Sequence, residues 1–300
     1  MNSDVAKGVL LMVLACGLLT ANDALMKSLV ASLPLGQVIA IRGISALVVL
    51  LALAPLFGGY SKFSANRKRS VLVCSGLLVI NITLFPFSFS HMPLANAIIL
   101  AYTSPIWVVA FAPVFLSEKV RWQQWVAVLM GFAGACLVIK PGSSHFTWAV
   151  FIPLTVAFIV GVRDMVTRKI ARSETALSIV LYTNVLTIAV GLLTAPFGWE
   201  QIDFSQGLQL VFAGIFFSTS QLMMVEAFRM VEATVLSTFK YSSILFAALF
   251  GYLFWGERLD SVAIVGACLI VASGLAIVRY RQKPLATGSE VLPRNARTKD

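Results

Sequence analysis

Long apolar segments constrain this chain more than any other feature of its sequence. A helix that crosses a bilayer needs about 20 mainly apolar residues. Runs of that kind, separated by charged or turn-forming residues, predict ten transmembrane helices at 6–27, 36–57, 70–91, 94–116, 122–140, 147–168, 176–197, 206–229, 233–255 and 261–279. Only 12% of the 300 residues are charged and 59% are hydrophobic, which leaves too little polar surface for a soluble globule. The predicted class is an all-α integral membrane protein.

Lysine and arginine are distributed unevenly between the predicted loops. Seventeen lie on the side that carries both termini, whereas the opposite side has only Lys27, Lys140 and Arg258. Positive residues favour the cytoplasmic side of a membrane, so both termini are expected in the cytoplasm. The net charge of +10 does not indicate a nucleic-acid partner, because the basic residues lie at the ends of apolar runs rather than on one soluble face.

The two halves of the sequence resemble each other at an offset of about 139 residues. The aligned pairs are Tyr102 with Tyr241, Ser104 with Ser243, Glu118 with Glu257 and, at an offset of 141, Asp23 with Asp164. We therefore predict five-helix units at 1–140 and 141–281, followed by a disordered cytoplasmic tail at 282–300. Five is an odd number of spans, so the second unit would be inverted relative to the first. Inverted repeats surround a central cavity in many secondary transporters.

The sequence contains no motif that would indicate an enzyme or a metal site. There is no G-x-S-x-G, HExxH or Walker A pattern, and no pair of juxtaposed carboxylates within the spans. The two histidines, His91 and His145, lie at predicted outer ends of spans. No catalytic residue, metal or cofactor is therefore predicted.

Charged residues inside the predicted spans are the first candidates for a functional site, because a charge within the bilayer tends to face a cavity or a partner. Asp23 and Arg42 are expected to meet at the outer mouth, either as a static ion pair or as a gate or ligand for a substrate carboxylate. Lys240 lies two turns into the ninth span, and Glu226 is its predicted partner. That pair could equally be static or belong to an inner gate or substrate site.

Amides and aromatic residues near mid-depth complete the candidate set. Asn81 and Gln221 must find hydrogen-bond partners there, either between helices or in a cavity. Tyr102, Trp107 and Tyr241 could form an aromatic wall around a substrate, although ordinary helix packing is an alternative for each.

The chain resembles the drug/metabolite transporter superfamily, and in particular its EamA-domain members with two tandem five-helix units. The residues that carry the resemblance over about 5–280 are Lys27, Arg42-Gly43, Pro105, Glu118-Lys119, Gly131, Gly134, Gly256-Glu257-Arg258, Gly266 and Gly274. The resemblance implies a basket of ten helices that moves its substrate by alternating access. Within the superfamily the chain looks most like YddG-type exporters of aromatic amino acids. Thr183 and Ile244 depart from the pattern, since they stand where counterparts of Arg42 and Pro105 would fall.

The expected function is that of a bacterial inner-membrane carrier that exports amino acids or related small metabolites. The alternatives are a carrier of another solute, such as a cationic drug, S-adenosylmethionine or a nucleotide-derived metabolite, and a channel or scaffold without alternating access. A cavity within one chain would allow a monomer to function. Glu226 is the only acid predicted beyond the span ends, so facilitated diffusion and proton antiport are both compatible with the sequence.

Overall fold

The computed structural model of the chain describes residues 3–89, 100–101, 103–116, 120–139, 151–171, 173–256 and 261–279. Within these ranges the regular structure is helical throughout, without a strand. The helices are α1 (Ser3–Val30), α2 (Leu35–Leu53), α3 (Lys68–Phe89), α4 (Ser104–Leu116), α5 (Trp122–Ile139), α6 (Phe151–Ile170), α7 (Ala176–Leu192), α8 (Phe204–Met230), α9 (Ala233–Phe239), α10 (Ser242–Trp255) and α11 (Ser261–Arg279). Short 3₁₀ helices at Ala54–Phe57, Tyr60–Phe63 and Ala195–Phe197 follow α2 and α7.

The helices have the length and composition of membrane-spanning segments. Among the described residues, five are long and apolar enough to cross a bilayer, namely Asp4–Val30, Leu35–Phe57, Lys68–Ser88, Ala176–Phe197 and Phe204–Met230. Shorter apolar helices lie at Ile106–Phe115, Ser242–Phe254 and Ile264–Ser273. Large apolar side chains such as Phe197 and Phe204 are 87% and 90% exposed, as expected of a surface that faces lipid rather than water. The prediction of an all-helical, multi-pass membrane protein is confirmed, while the crossing of the bilayer by all ten segments stays a prediction.

Polar side chains begin several of these helices and tie the two halves of the chain together. Asp203 and Gln206 form a reciprocal capping box at the start of α8. The buried carboxylate of Glu174, just before α7, accepts hydrogen bonds from the backbone amides of Asn66 and Arg67, just before α3. In the other direction, the amide of Gln37 in the first turn of α2 exchanges two hydrogen bonds with the backbone of Glu200, ahead of α8. A side chain of each half therefore binds the backbone just before the third helix of the other half, which is α3 in the first half and α8 in the second.

The packing of the helices is reciprocal between the two halves. Helix α1 packs on α8 and α10, and α6 packs on α3 and α4. Helix α2 packs on α7 and α8, α7 packs on α2 and α3, and α5 packs on α11. If α6, α7 and α8 are the counterparts of α1, α2 and α3, each of these contacts between halves has a partner in which the halves are exchanged. Two equivalent units related by a two-fold axis produce this kind of interface.

Small residues allow α2 to lie very close to two helices of the other half. A Cβ on Gly191 of α7 would lie 2.7 Å from the backbone nitrogen of Ala40, and a Cβ on Gly214 of α8 would lie 2.8 Å from the carbonyl oxygen of Arg42. Any larger residue would push α2 away, which is why glycine is required for this approach. The result is a rigid contact beside Arg42, which projects from the same stretch of α2.

Candidate functional site

An open cavity lies where the two halves meet, and several of the charged and amide side chains of the helix interior line it. Its empty volume, including open solvent at the mouth, is about 890 Å³. The polar residues that line it are Asn22, Asp23, Arg42, Asn81, Ser104, Arg163, Gln221, Lys240 and Ser243. Apolar side chains, including Phe85, Phe217, Met26 and Met224, form the remaining wall. A cavity with a mainly apolar wall and a few convergent charges is typical of a site for a small polar molecule.

The first group of charges, which we call the Asp23 cluster, consists of Asn22, Asp23, Arg42 and Phe217. The side-chain amide of Asn22 lies between the two charged groups. Its nitrogen donates to a carboxylate oxygen of Asp23 over 3.0 Å, and its oxygen accepts from Arg42 Nη1 over 3.2 Å. Neither Asp23 nor Arg42 takes part in an ion pair within 4.0 Å among the described residues. The two opposite charges are thus adjacent but separate.

The guanidinium group of Arg42 is buried without a full set of partners. Arg42 is 2% exposed, and its guanidinium carbon lies 4.3 Å from the centroid of the Phe217 ring. Such a cation–π contact offsets part of the cost of burial. Within the described part of the chain, however, Nε and Nη2 of Arg42 have no hydrogen-bond partner. A buried donor without a partner is costly. These two N–H groups can therefore bind an acceptor that a ligand supplies.

The second group, which we call the Asp164 cluster, consists of Arg163, Asp164, Gln221 and Lys240. Asp164 is fully buried, and one of its carboxylate oxygens is in direct contact with the ammonium group of Lys240. Its other carboxylate oxygen lies 3.9 Å from Arg163 Nη1. Arg163 Nη2 donates to the side-chain oxygen of Gln221 over 2.6 Å. In contrast to Asp23, the carboxylate of Asp164 has two cations beside it and is shielded from the cavity.

A break between two helices positions Lys240. Helix α9 ends at Phe239 and α10 begins at Ser242. The chain turns tightly between them, because the amides of Ser243 and Ile244 each bond to the carbonyl three residues earlier. The break falls inside the ninth predicted span, where discontinuous helices often mark the binding sites of carriers. It brings Lys240 beside Asp164 of α6.

The two clusters lie in one cavity and differ in net charge. Phe217 and Gln221 are one turn apart on α8, which corresponds to about 6 Å along the helix axis, so the clusters are close neighbours. With ordinary ionisation the Asp23 cluster is neutral, whereas the Asp164 cluster has two cations and one anion. The cavity as a whole carries an excess of one positive charge in a poorly hydrated setting, which favours a ligand that brings a carboxylate.

Five of the predicted site residues line this cavity: Asp23, Arg42, Asn81, Gln221 and Lys240. The predicted meeting of Asp23 and Arg42 occurs through Asn22 rather than by direct contact. Gln221 accepts a hydrogen bond from Arg163, so it links α8 to α6 and is also part of the cavity wall.

The predicted aromatic wall lies elsewhere. Trp107 is 36% exposed and packs edge-on against Phe158 at a centroid distance of 5.3 Å, outside the cavity lining. Tyr241 is fully buried, but its ring lies against Gly131 of α5, behind the cavity. Tyr102 lies outside the described residues. Phe85 and Phe217 supply the aromatic lining instead.

The predicted pairing of Lys240 with Glu226 is wrong. Glu226 accepts hydrogen bonds of 2.9 and 3.2 Å from Arg229 on its own helix, and it lines a separate, smaller pocket with Lys62 and Thr175. The reason is helical geometry, because Glu226 lies five residues beyond Gln221 and is turned roughly 140° around α8 from it. The partner of Lys240 is Asp164, which is fully buried in α6, so Glu226 is also not the only acid beyond the span ends.

Sequence reasoning missed Asn22, Arg163 and Phe217 as members of the site, and it did not assign a site role to Asp164. One signal was available. The offset of 141 that aligns Asp23 with Asp164 also aligns Asn22 with Arg163. Each half therefore contributes a dipeptide that ends in aspartate to the same cavity region. Phe217 could not be distinguished from the many other aromatic residues of the chain without coordinates.

Comparisons with known proteins agree on one family. A profile of the EamA-like transporter family matches residues 6–140 and 147–279. The chain is 30% identical over 278 residues to the pseudopaline exporter CntI of Pseudomonas aeruginosa, covering 92% of this chain and 97% of that protein. It is 25% identical over 269 residues to an S-adenosylmethionine uptake transporter of Rickettsia bellii, covering 89% and 91%. It is 26% identical over 253 residues to a riboflavin transporter of Vibrio cholerae, covering 84% and 85%.

The fold is also found among solved structures. One crystal structure matches with a TM-score of 0.78 at 18% sequence identity, covering 91% of this chain and 97% of that one. At that identity the match indicates a shared fold and carries no information about the solute. The three relatives named above are described for S-adenosylmethionine, pseudopaline and riboflavin, and none of these is an aromatic amino acid.

Proposed function

Since this chain belongs to the EamA-like transporter family, we propose that it is a bacterial inner-membrane carrier that exports amino acids by alternating access. The chain is a membrane transporter and not an enzyme, as its family and relatives are. What is proposed here is the class of solute, the direction of transport and the mechanism.

The observation that carries the proposal is the separation of two opposite charges in the Asp23 cluster. Asn22 holds the carboxylate of Asp23 and the guanidinium of Arg42 apart, and Arg42 keeps two donors without partners in the described structure. An amino-acid head group has an ammonium and a carboxylate on the same carbon. Its ammonium can bind Asp23 while its carboxylate receives the free N–H groups of Arg42, in the bidentate geometry that guanidinium favours. The head group thus neutralises both charges.

The rest of the cavity suits the side chain of such a solute. Phe85, Phe217, Met26 and Met224 provide an apolar wall, and the Asp164 cluster adds its excess positive charge about one turn further along α8. A purely cationic drug would meet net repulsion there, which argues against that alternative.

A larger compound with the same head group is the second candidate. S-adenosylmethionine has an amino-acid head group, and the relative from Rickettsia bellii is named for its uptake. The extension of the cavity from Asp23 to Lys240 offers room beyond the head group. We therefore regard S-adenosylmethionine as the solute to test beside the amino acids.

Alternating access is supported by the reciprocal packing of the two halves. The contact of α1 with α8 corresponds to that of α6 with α3, and the contact of α2 with α8 corresponds to that of α7 with α3. This pattern is expected of inverted repeats that rock around a shared site. The bias of lysine and arginine supports cytoplasmic termini. On that orientation the Asp23 cluster lies toward the outer end of the cavity and the Asp164 cluster toward the inner end. Because the cavity lies within one chain, a monomer is expected to suffice.

Counterflow in proteoliposomes tests the proposal. Vesicles that contain the purified chain and a high internal concentration of unlabelled amino acids should take up radiolabelled amino acids transiently above equilibrium, which a channel cannot do. Arg42→Gln should lower this uptake at least about tenfold, because the loss of a charge-assisted hydrogen bond costs about 1.5–3 kcal/mol. Arg229→Gln is the matched control, since Arg229 lies outside the cavity, and should transport normally.

Each outcome of that experiment has a definite meaning. Counterflow of S-adenosylmethionine but of no amino acid would favour the second candidate. Linear, non-saturating flux would indicate a channel and contradict alternating access. An equal loss of transport in both arginine variants would contradict the assignment of the head group to Arg42.

A further inference from the structure

The two aspartates that the internal repeat makes equivalent have different surroundings, and this difference indicates how transport could be powered. We propose that Asp23 binds either a proton or the ammonium group of the solute, and thereby couples solute movement in one direction to proton movement in the other. The proposal rests on the proposed function, because it needs a solute with an ammonium group.

The carboxylate of Asp23 faces the cavity and is only weakly compensated. It is partly accessible and lines the cavity, and the amide of Asn22 donates to it. No cation lies within ion-pair distance of it among the described residues. Asp164, by comparison, is fully buried against Lys240 and has Arg163 nearby. The carboxylate of Asp164 therefore already has two cations beside it, whereas that of Asp23 has room to bind a cation.

The charged groups that face Asp23 are few. Among the helices packed on α1, α9 and α10 contain no charged residue, and α2 contains only Arg42. Lys240, in the break between α9 and α10, lines the same cavity and is paired with Asp164. Helix α8 contributes the uncharged Phe217 and Gln221 to the cavity, and its own charges, on Glu226 and Arg229, pair with each other.

Two further basic regions lie outside the lining of the cavity. The charges of α3, Lys68 and Arg69, lie in its first turn, about 18 Å along the helix from the cavity residue Asn81. Lys27 lies one turn further along α1 and has interactions of its own. Arg42 is thus the one charged side chain in the described structure that shares the Asp23 cluster.

A carboxylate in this setting is costly unless a proton or a cation is bound to it. In a poorly hydrated cavity the ionised form is expensive unless a cation is bound. A proton on Asp23 removes the charge, and an ammonium group bound to ionised Asp23 neutralises it. The two forms of occupancy exclude each other, because the ammonium needs the ionised carboxylate.

Ammonium binding and proton release at Asp23 occur together in each cycle. The ammonium binds as the proton leaves Asp23 to the side that the cavity then faces, and the reverse happens on the other side of the membrane. One proton crosses in one direction for each solute molecule that crosses in the other. A zwitterionic solute carries no net charge, so each cycle moves one positive charge across the membrane. Both a pH gradient and a membrane potential should therefore drive the exchange.

Proteoliposomes with the full-length chain can test this, with a mixture of radiolabelled protein amino acids as the probe. Counterflow without any gradient first establishes transport, and its absence would overturn the proposed function itself. A pH gradient that is acidic on the amino-acid side should slow accumulation by the wild type, and a gradient that is acidic on the receiving side should raise the accumulated level. Asp23→Asn should lower this pH-driven accumulation at least about tenfold, because the variant has no group that binds a proton. Glu226→Gln is the matched control and should behave as the wild type.

Three results would overturn the coupling role of Asp23. They are counterflow in the wild type that is indifferent to the pH gradient, pH-driven accumulation that survives in Asp23→Asn, and loss of that accumulation in Glu226→Gln. Any of these leaves the carrier function intact if counterflow persists, so the two proposals fail separately.

A measurement on the wild type covers the case in which Asp23→Asn does not fold. Infrared difference spectra are recorded while the amino-acid mixture is added at constant pH to protein in vesicles. Displacement of a proton from Asp23 predicts loss of a carboxylic acid band and gain of a carboxylate band. Spectra that show substrate binding without this change would overturn the proposal.

Discussion

The Asp23 cluster and the Asp164 cluster occupy corresponding places in the two halves of the chain, yet the groups that neighbour the aspartate carboxylate differ between them. At Asp164 the carboxylate is sealed between Lys240 and Arg163. At Asp23 the carboxylate and Arg42 are held apart by Asn22, and both border the cavity. A carboxylate with two adjacent cations contributes to the packing of the helices that it joins, whereas a carboxylate without a direct ion pair retains the capacity to bind a cation. The two clusters therefore differ in how far neighbouring cations balance the charge of the aspartate.

The largest expected effect separates the two aspartates by stability. Asp164→Asn leaves the ammonium of Lys240 buried without its anion and beside Arg163, and should lower the free energy of unfolding by about 3–5 kcal/mol. Asp23→Asn removes a charge that has no direct ion pair and should change it by less than about 1 kcal/mol. Denaturant titration of the purified variants, followed by tryptophan fluorescence, measures both. Equal destabilisation would remove the distinction between a sealed and an open cluster.

A double variant sharpens that result. Replacing the pair together, as Asp164→Asn with Lys240→Met, should recover part of the lost stability, because the ammonium of Lys240 is then no longer buried without an anion and only the charge of Arg163 is left in the cluster. Transport by this variant shows whether Lys240 has a role beyond structure. Undiminished counterflow would count against Lys240 as a ligand of the solute.

A smaller effect is expected at the aromatic support of Arg42. Phe217→Leu removes the ring beneath the guanidinium, which lies 4.3 Å from its centroid, and should cost about 1–2 kcal/mol of stability through the lost cation–π contact and packing. Solute affinity should fall as well, because Arg42 is less well positioned. Phe212→Leu, on the exposed face of α8, is the control, and an equal loss there would show that the effect is not specific to Arg42.

The smallest effect is expected at the bridge between the two charges. Asn22→Ala deletes the amide that bonds to both Asp23 and Arg42, and should lower the free energy of unfolding by about 1 kcal/mol. Asp23 and Arg42 could then approach and form a direct ion pair, which would occupy the groups that bind the solute. The fractional loss of counterflow should therefore exceed the fractional loss of unfolding free energy. Unchanged or faster counterflow would indicate that the separation of these charges is not needed for binding.

The course of the helices follows from the sequence to a large extent. The eighth predicted span, 206–229, corresponds to α8 at Phe204–Met230, because a long apolar run with a capping box at its start leaves few alternatives. The second predicted span, 36–57, is divided into α2 and a 3₁₀ helix at Ala54–Phe57. The ninth is broken at Lys240. Hydropathy averaged over a whole span does not register such breaks, because the apolar residues on both sides of Lys240 and Tyr241 outweigh those two side chains.

The members of the site were less predictable than the helices. Asp23, Arg42, Asn81, Gln221 and Lys240 could be selected because polar groups inside apolar runs are rare and costly. Their partners could not, because a partner is decided by the rotation and contact of helices distant in the chain. Lys240 illustrates this, as its anion comes from α6 and not from the neighbouring α8.

By itself, the sequence determined that the chain is a helical membrane protein of two similar halves with a few charges inside, because the hydrophobic effect and the cost of buried polar groups act on every residue regardless of its neighbours. The tertiary structure alone decided which charges meet. Helix α6 brings Asp164 against Lys240, while Asn22 separates Asp23 from Arg42. Those contacts depend on how helices rotate and pack across the two halves, and no local pattern encodes that rotation.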